Sequence, residues 1–180
     1  MRPSIRSIAI VSLTASAALG LAAAPALAHP ASPHVSFAAS SDGASAGWSH
    51  GKGSPIDLTL GSDSGSTYAM VVLDHLPTTT VADLSEPTFA SNNYNAGSPR
   101  YYITLNNSDT LWGYPAISGL NGSGMAWVIN NGNSYESWSA VQSAEGGATV
   151  TGADVIADGD QAPGTTDVVT ALTFAGTSFN

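Results

Sequence analysis

Of the ten tryptophan and tyrosine residues in this chain, eight lie between Tyr94 and Trp138: Tyr94, Tyr101, Tyr102, Trp112, Tyr114, Trp127, Tyr135 and Trp138. Aromatic rings stack on the flat C–H faces of sugars, and the same stretch is rich in asparagine (Asn92, Asn106, Asn107, Asn130 and Asn131 among others), whose amides suit hydroxyl groups. Trp112 and Tyr114 stand two apart, so on a strand they project to one side. Tyr102, Trp112 and Tyr114 are the residues this pattern offers as a ligand-binding set. Aromatics are also ordinary strand residues and core fillers, so the competing reading is a sandwich interior.

Two further groups carry chemistry. Asp154, Asp158, Asp160 and Asp167 bracket a loop containing Gly159 and Gly164. Calcium takes six to eight oxygens, and such a loop offers carboxylates and carbonyls together, so a structural calcium is the one cofactor the sequence suggests. Cleavage after Ala28 would make His29 the first residue. Its amine and ring nitrogen could then chelate copper, with His34, His50 or His75 as a second ligand. That arrangement resembles the copper brace of polysaccharide monooxygenases and periplasmic copper carriers in this one residue and in overall fold class. Hydrolytic chemistry finds less support. Asp63-Ser64-Gly65 resembles a protease nucleophile turn but lacks the matching histidine environment. Glu86, Glu136 and Glu145 form no paired strand motif for glycoside hydrolysis. His50-Gly51-Lys52-Gly53 lacks phosphate-loop spacing. The expectation is a protein without catalysis.

These residues need a scaffold. Short apolar runs recur between turn clusters, which is the signature of an all-β fold. The candidate strands are 34–38, 56–60, 67–73, 87–90, 100–105, 110–114, 125–129, 148–157 and 167–174. Tyr101, Ile103 and Leu105 share one face, and Tyr102 and Thr104 the other. Residues 125–129 are apolar on both faces, which predicts a central strand. Asn131-Gly132 predicts a tight turn, because both residues accept positive φ. Ser134 as cap, with Trp138, Val141 and Ala144 at helical spacing, predicts one short helix over about 134–145 across an edge or open end. The expected fold is a jelly-roll-like antiparallel β-sandwich over residues 56–180, preceded by a loosely ordered arm at 29–55.

Residues 1–28 read as a cleavable signal peptide: Arg2 and Arg6, an apolar run from Ile8 to Leu21, Pro25, then Ala26-Leu27-Ala28. Export is therefore expected, with an extracellular, secreted product. Removing the leader leaves Lys52 and Arg100 against thirteen acidic residues, a net charge of about −11. Such a chain cannot neutralise phosphates, so nucleic acid is excluded, and an anionic membrane surface with it. The absence of cysteine removes thiol chemistry and disulfides. No second apolar run is long enough to span a bilayer.

The run Gly97-Ser98-Pro99-Arg100-Tyr101-Tyr102-Ile103, then Trp138, then Val155-Ile156-Ala157-Asp158-Gly159-Asp160-Gln161 with Thr165-Thr166-Asp167, resembles uncharacterised secreted proteins of high-GC Gram-positive bacteria. The resemblance implies a jelly-roll-like sandwich ending in the strand pair 148–157 and 167–174, and it brings no activity with it. The functional expectation is a secreted binder of an extracellular polysaccharide. Copper binding through His29 and a structural role at the cell surface or in a matrix are the alternatives.

Overall fold

Strand parity organises the molecule. The computed structural model describes residues 31–62, 66–93, 98–115, 125–159 and 161–180. Its strands are β1 (His34–Ala39), β2 (Ser45–Trp48), β3 (Ile56–Thr59), β4 (Tyr68–Asp74), β5 (Thr88–Ser91), β6 (Arg100–Leu105), β7 (Thr110–Tyr114), β8 (Ala126–Ile129), β9 (Val150–Asp158), β10 (Thr166–Phe174) and β11 (Thr177–Ser178), with one helix, α1 (Trp138–Glu145). They form an all-β sandwich of two antiparallel sheets. One sheet has the order β1-β4-β9-β6-β7-β8. The other runs β11-β10-β3-β2, with β5 paired to β10.

In β4, β6 and β7 every second residue is buried, as the sequence alternation predicts. Ala69, Val71, Tyr101, Ile103, Leu111, Trp127, Val155 and Ala157 from the first sheet meet Ile56, Leu58, Val169, Leu172 and Phe174 from the second. Burying each large apolar side chain is worth about 1.5–3 kcal/mol. A one-residue slip of β6 would turn Tyr101 and Ile103 outward and Tyr102 inward, so the core fixes which aromatics face solvent.

The structure departs from the sequence reading in four places, each with a physical reason. Within the stretch expected to be a loose arm, the candidate strand 34–38 forms β1, and Ser45–Trp48, with no strand expected, forms β2. β1 pairs with β4 over six positions, β2 pairs with β3 over four, and Phe37 meets the Trp48 ring edge-on at 5.6 Å. Their own apolar signal is weak because both are edge strands, half-exposed, whose partners supply the hydrophobic neighbours. β9 and β10, expected as a pair, enter different sheets.

β8 is an edge strand, not a central one. Its double-sided apolarity is explained by the chain that returns across it. The tight turn falls on Asn130-Asn131, both at positive φ, with the Gly132 N–H donating to the Ile129 carbonyl. The returning segment places Glu136 beside Trp127, and their backbones exchange two hydrogen bonds of 2.7 and 3.0 Å. This covers the β8 edge.

That pairing also moves the helix start. Residues 134–136 are not helical, and Ser137 is the N-cap, accepting from the Ala140 N–H. Trp138 and Val141 are the buried face of α1. Gln142 Nε2 donates to the carbonyls of Ala82 and Leu84, stitching the helix to the 81–84 turn.

Candidate functional site

The outward face of the six-stranded sheet holds the three aromatics singled out from sequence. Tyr102 lies directly opposite Trp112 across β6 and β7, and Tyr114 is two residues further along β7. The Tyr102 and Trp112 rings are 4.6 Å apart, centroid to centroid, at 43°. Tyr114 meets Tyr135 edge-to-face at 5.8 Å. Tyr102, Trp112 and Tyr114 are half-buried. Tyr135, in the chain returning from β8, is 44% exposed and is the one exposed large hydrophobic among the described residues.

Arg100 anchors the centre of this face. It is the residue before Tyr101 on β6, so strand parity sends it outward beside Tyr102. Its guanidinium lies 5.0 Å from the centroid of the Trp112 ring and forms an ion pair with Asp158 of β9. Arg100 is therefore both a partner for an aspartate and part of the aromatic surface. Burial pushes the Tyr114 hydroxyl above its ordinary pKa, and Arg100 pulls it partly back.

The polar tips of these rings separate them from the core. Among the described residues, the Tyr102, Tyr114 and Tyr135 hydroxyls and the Trp112 indole N–H have no hydrogen bond to protein. The inward aromatics differ. Tyr101 Oη donates to the Thr173 carbonyl at 2.6 Å, Trp127 Nε1 to Glu86 Oε1 at 3.2 Å, and Trp138 Nε1 to the Leu84 carbonyl at 3.1 Å. Tyr101, Trp127 and Trp138 are core residues, and Tyr94 lies outside the described residues.

Five of the asparagines expected to orient a sugar have structural partners instead. Asn92, Asn106 and Asn130 each accept a backbone N–H, from Val168, Thr149 and Thr110. Asn107 bonds Asp109 and Glu145, and Asn93 bonds Gln161. Asn and Asp side chains satisfy turn backbone in this way wherever strands end.

Of the four aspartates proposed for calcium, the three that are described stand apart in the fold. Asp154 and Asp158 stand on the outward face of β9, in the first sheet. Asp167 is fully buried on β10 in the second, where Gln161 Nε2 donates to its Oδ2 at 2.6 Å and its Oδ1 has no partner. Asp160 lies outside the described residues. Among the described residues, no three His, Cys, Asp or Glu side chains are grouped to hold a metal ion. Asp154 sits in a depression of about 450 Å³ with Asp74, where burial and then the Asp74 charge raise its pKa.

His29 also lies outside the described residues, as do Asp63, Ser64 and Gly65. His50 is in the β2–β3 turn, while His34 and His75 are stacked on each other at the far edge of the sheet. Two residues of the aromatic face lie outside the ligand-binding set named from the sequence. Tyr135 falls in a segment that reads as helix, and Arg100 carries no motif. Its rarity, as one of four bases in the chain, is the signal that could have found it. No helix among the described residues is long and apolar enough to cross a membrane.

The chain matches no family model, no curated protein and no solved structure.

Proposed function

We propose that this is a secreted, non-catalytic β-sandwich that binds an extracellular polysaccharide on the outward face of its six-stranded sheet. The observation that carries the reading is the set of four half-buried or exposed rings, Tyr102, Trp112, Tyr114 and Tyr135, whose polar tips have no protein partner among the described residues. A ring packed only for stability would be buried with its N–H or O–H satisfied, as the inward set is. Stacking supplies affinity, and the free hydroxyls, indole N–H and remaining Arg100 donors give orientation.

Each aromatic contact contributes about 1 kcal/mol, so a single chain should bind with a dissociation constant on the order of 1 mM. Retention on insoluble cellulose, chitin and cell-wall glycans measures this directly. Retention of the wild type on one of them, lost in Trp112→Ala with folding intact, is the expected result. Failure to retain the wild type on any of the three ends the proposal.

A further inference from the structure

Strand register extends the aromatic face beyond its rings. Asp154 of β9 pairs directly with Tyr102 of β6, and Tyr102 with Trp112 of β7, so three outward side chains form one row across the strands. Ile156 and Arg100 pair in the next row, two residues along, and the same register continues to Tyr114. Neighbouring strands lie about 4.8 Å apart, close to the advance of one unit in an extended β-linked pyranose chain. The Tyr102 and Trp112 ring centroids, 4.6 Å apart, keep that spacing. A glycan laid along a row therefore sets one sugar over each strand, whereas one laid along β7 would meet Trp112 and Tyr114 and pass Tyr102 by.

Asp154 is the member of the row that folding does not explain. It is half-buried, with no hydrogen bond or ion pair to protein among the described residues. It lines a depression of about 450 Å³ with Asp74 and Thr151, and burial, followed by the Asp74 charge, raises its pKa. An ionised carboxylate only accepts, and its two oxygens can take two hydroxyl hydrogens at once. Arg100 and the Trp112 indole N–H only donate, so Asp154 adds a charged acceptor beside them. Arg100 is already paired with Asp158, which leaves the Asp154 charge uncompensated on this row. We propose, on the glycan-binding reading above, that the chain crosses the strands and that Asp154 binds hydroxyls of the sugar over β9, which makes the ligand a neutral, extended β-linked polysaccharide and excludes polyuronates. Tyr102 and Trp112 take the next two sugars, and Tyr135, which meets Tyr114 beyond β7, borders a fourth.

Chemical-shift titration of the chain with cello- and chito-oligosaccharides of two to six units tests this, with cellulose oxidised to the carboxylate at its primary hydroxyls as the anionic counterpart. Affinity for one neutral series should climb to about four units and then level, as one sugar per strand requires. Oxidised cellulose should not bind. Asp154→Asn should weaken the hexamer about fivefold and leave the dimer unchanged, with the melting temperature kept. Trp112→Ala should weaken every length. Unchanged hexamer affinity in Asp154→Asn, or oxidised cellulose bound as tightly as the neutral chain, would overturn the cross-strand assignment, while loss of binding in Trp112→Ala would still uphold the glycan face. Absence of binding to every neutral oligosaccharide would overturn both. The length series and the oxidised probe use the unaltered chain and decide the matter even if a variant fails to fold.

Discussion

The six-stranded sheet carries aromatic side chains on both faces, and adjacent residues of one strand, Tyr101 and Tyr102, belong to opposite sets. The inward set, Tyr101, Trp127 and Trp138, packs with Phe89 and Phe174, and each polar tip is bonded. The outward set is half-buried or, at Tyr135, exposed, and its tips have no protein partner among the described residues. Residue type does not separate the two; parity and hydrogen-bond satisfaction do. Inward rings are accounted for by folding, while outward rings expose more aromatic surface and more unused donors than a solvent-facing sheet requires. The second sheet shows what such a face otherwise looks like, with Ser45, Thr59 and Thr166 in register across its outer side and the two threonine hydroxyls bonded at 2.9 Å.

The contrast breaks most visibly at Trp127, which is fully buried and touches both other inward rings, with Tyr101 at 6.1 Å and Trp138 at 4.8 Å. Trp127→Ala should cost about 3–5 kcal/mol, read as a large drop in denaturant midpoint, and should leave Glu86 Oε1 with only the Met125 N–H as donor. Gly113 comes next. It pairs with both Tyr101 and Trp127, and a Cβ there would lie 2.6 Å from the indole ring. The glycine is what lets Trp127 lie across β7 toward Tyr101. Gly113→Ala should destabilise by about 3 kcal/mol. A near-neutral result for either would mean that the inward cluster is loosely packed and that the contrast between faces is false.

How much of this was legible depends on how local the signal was. Period-two alternation separates Tyr101 from Tyr102 and puts Trp112 with Tyr114 from sequence alone, because burial enforces parity residue by residue, while which of these faces turns outward comes from the pairing of the strands. β2, Ser45–Trp48, was not legible, since its pairing with β3 is a tertiary fact and its own residues are mostly small. The turn at Asn130-Asn131 is displaced by one position from the expected Asn131-Gly132. That shift turns residues 134–136 from helix start into cover for β8, which hid Tyr135 from the candidate site. Asp158 and Asp167 lie close in the sequence around Gly159 and Gly164, and that proximity says nothing of the change of sheet between β9 and β10. Charge clusters declare spacing along the chain, whereas a metal site needs convergence in space.

Tyr101 sharpens the comparison through pH. Burial raises its pKa well above the ordinary 10.0. A group whose folded pKa is raised contributes its full stability below the unfolded pKa. That contribution is lost as pH climbs from there toward the folded value, because the unfolded chain releases the proton first. Stability should therefore fall above about pH 10. Tyr101→Phe removes the bond to Thr173 and costs about 1 kcal/mol at neutral pH, yet it should decline less steeply in alkali. Parallel wild-type and variant curves in denaturant melts at high pH would show that this hydroxyl is not the alkaline-sensitive group.

The smallest effect on stability, and the most decisive for function, is expected at Tyr135. With 44% of its surface in solvent and an edge-to-face contact with Tyr114, Tyr135→Ser should change unfolding free energy by no more than about 0.5 kcal/mol. If the outward rings hold a glycan, the same substitution removes one stacking surface, worth about 1 kcal/mol, and weakens retention by about fivefold. Trp112→Ala should show a larger loss of retention and a moderate loss of stability, because it also strips Arg100 of its ring and Tyr102 of its neighbour. Plotting retention against unfolding free energy for Trp127, Tyr101, Trp112 and Tyr135 variants turns the two faces into two slopes. Inward variants should move along the stability axis alone, and Tyr135→Ser along the retention axis alone. If all four fall on one line, the outward rings are structural like the inward ones, and the sheet has a single aromatic function divided between its faces.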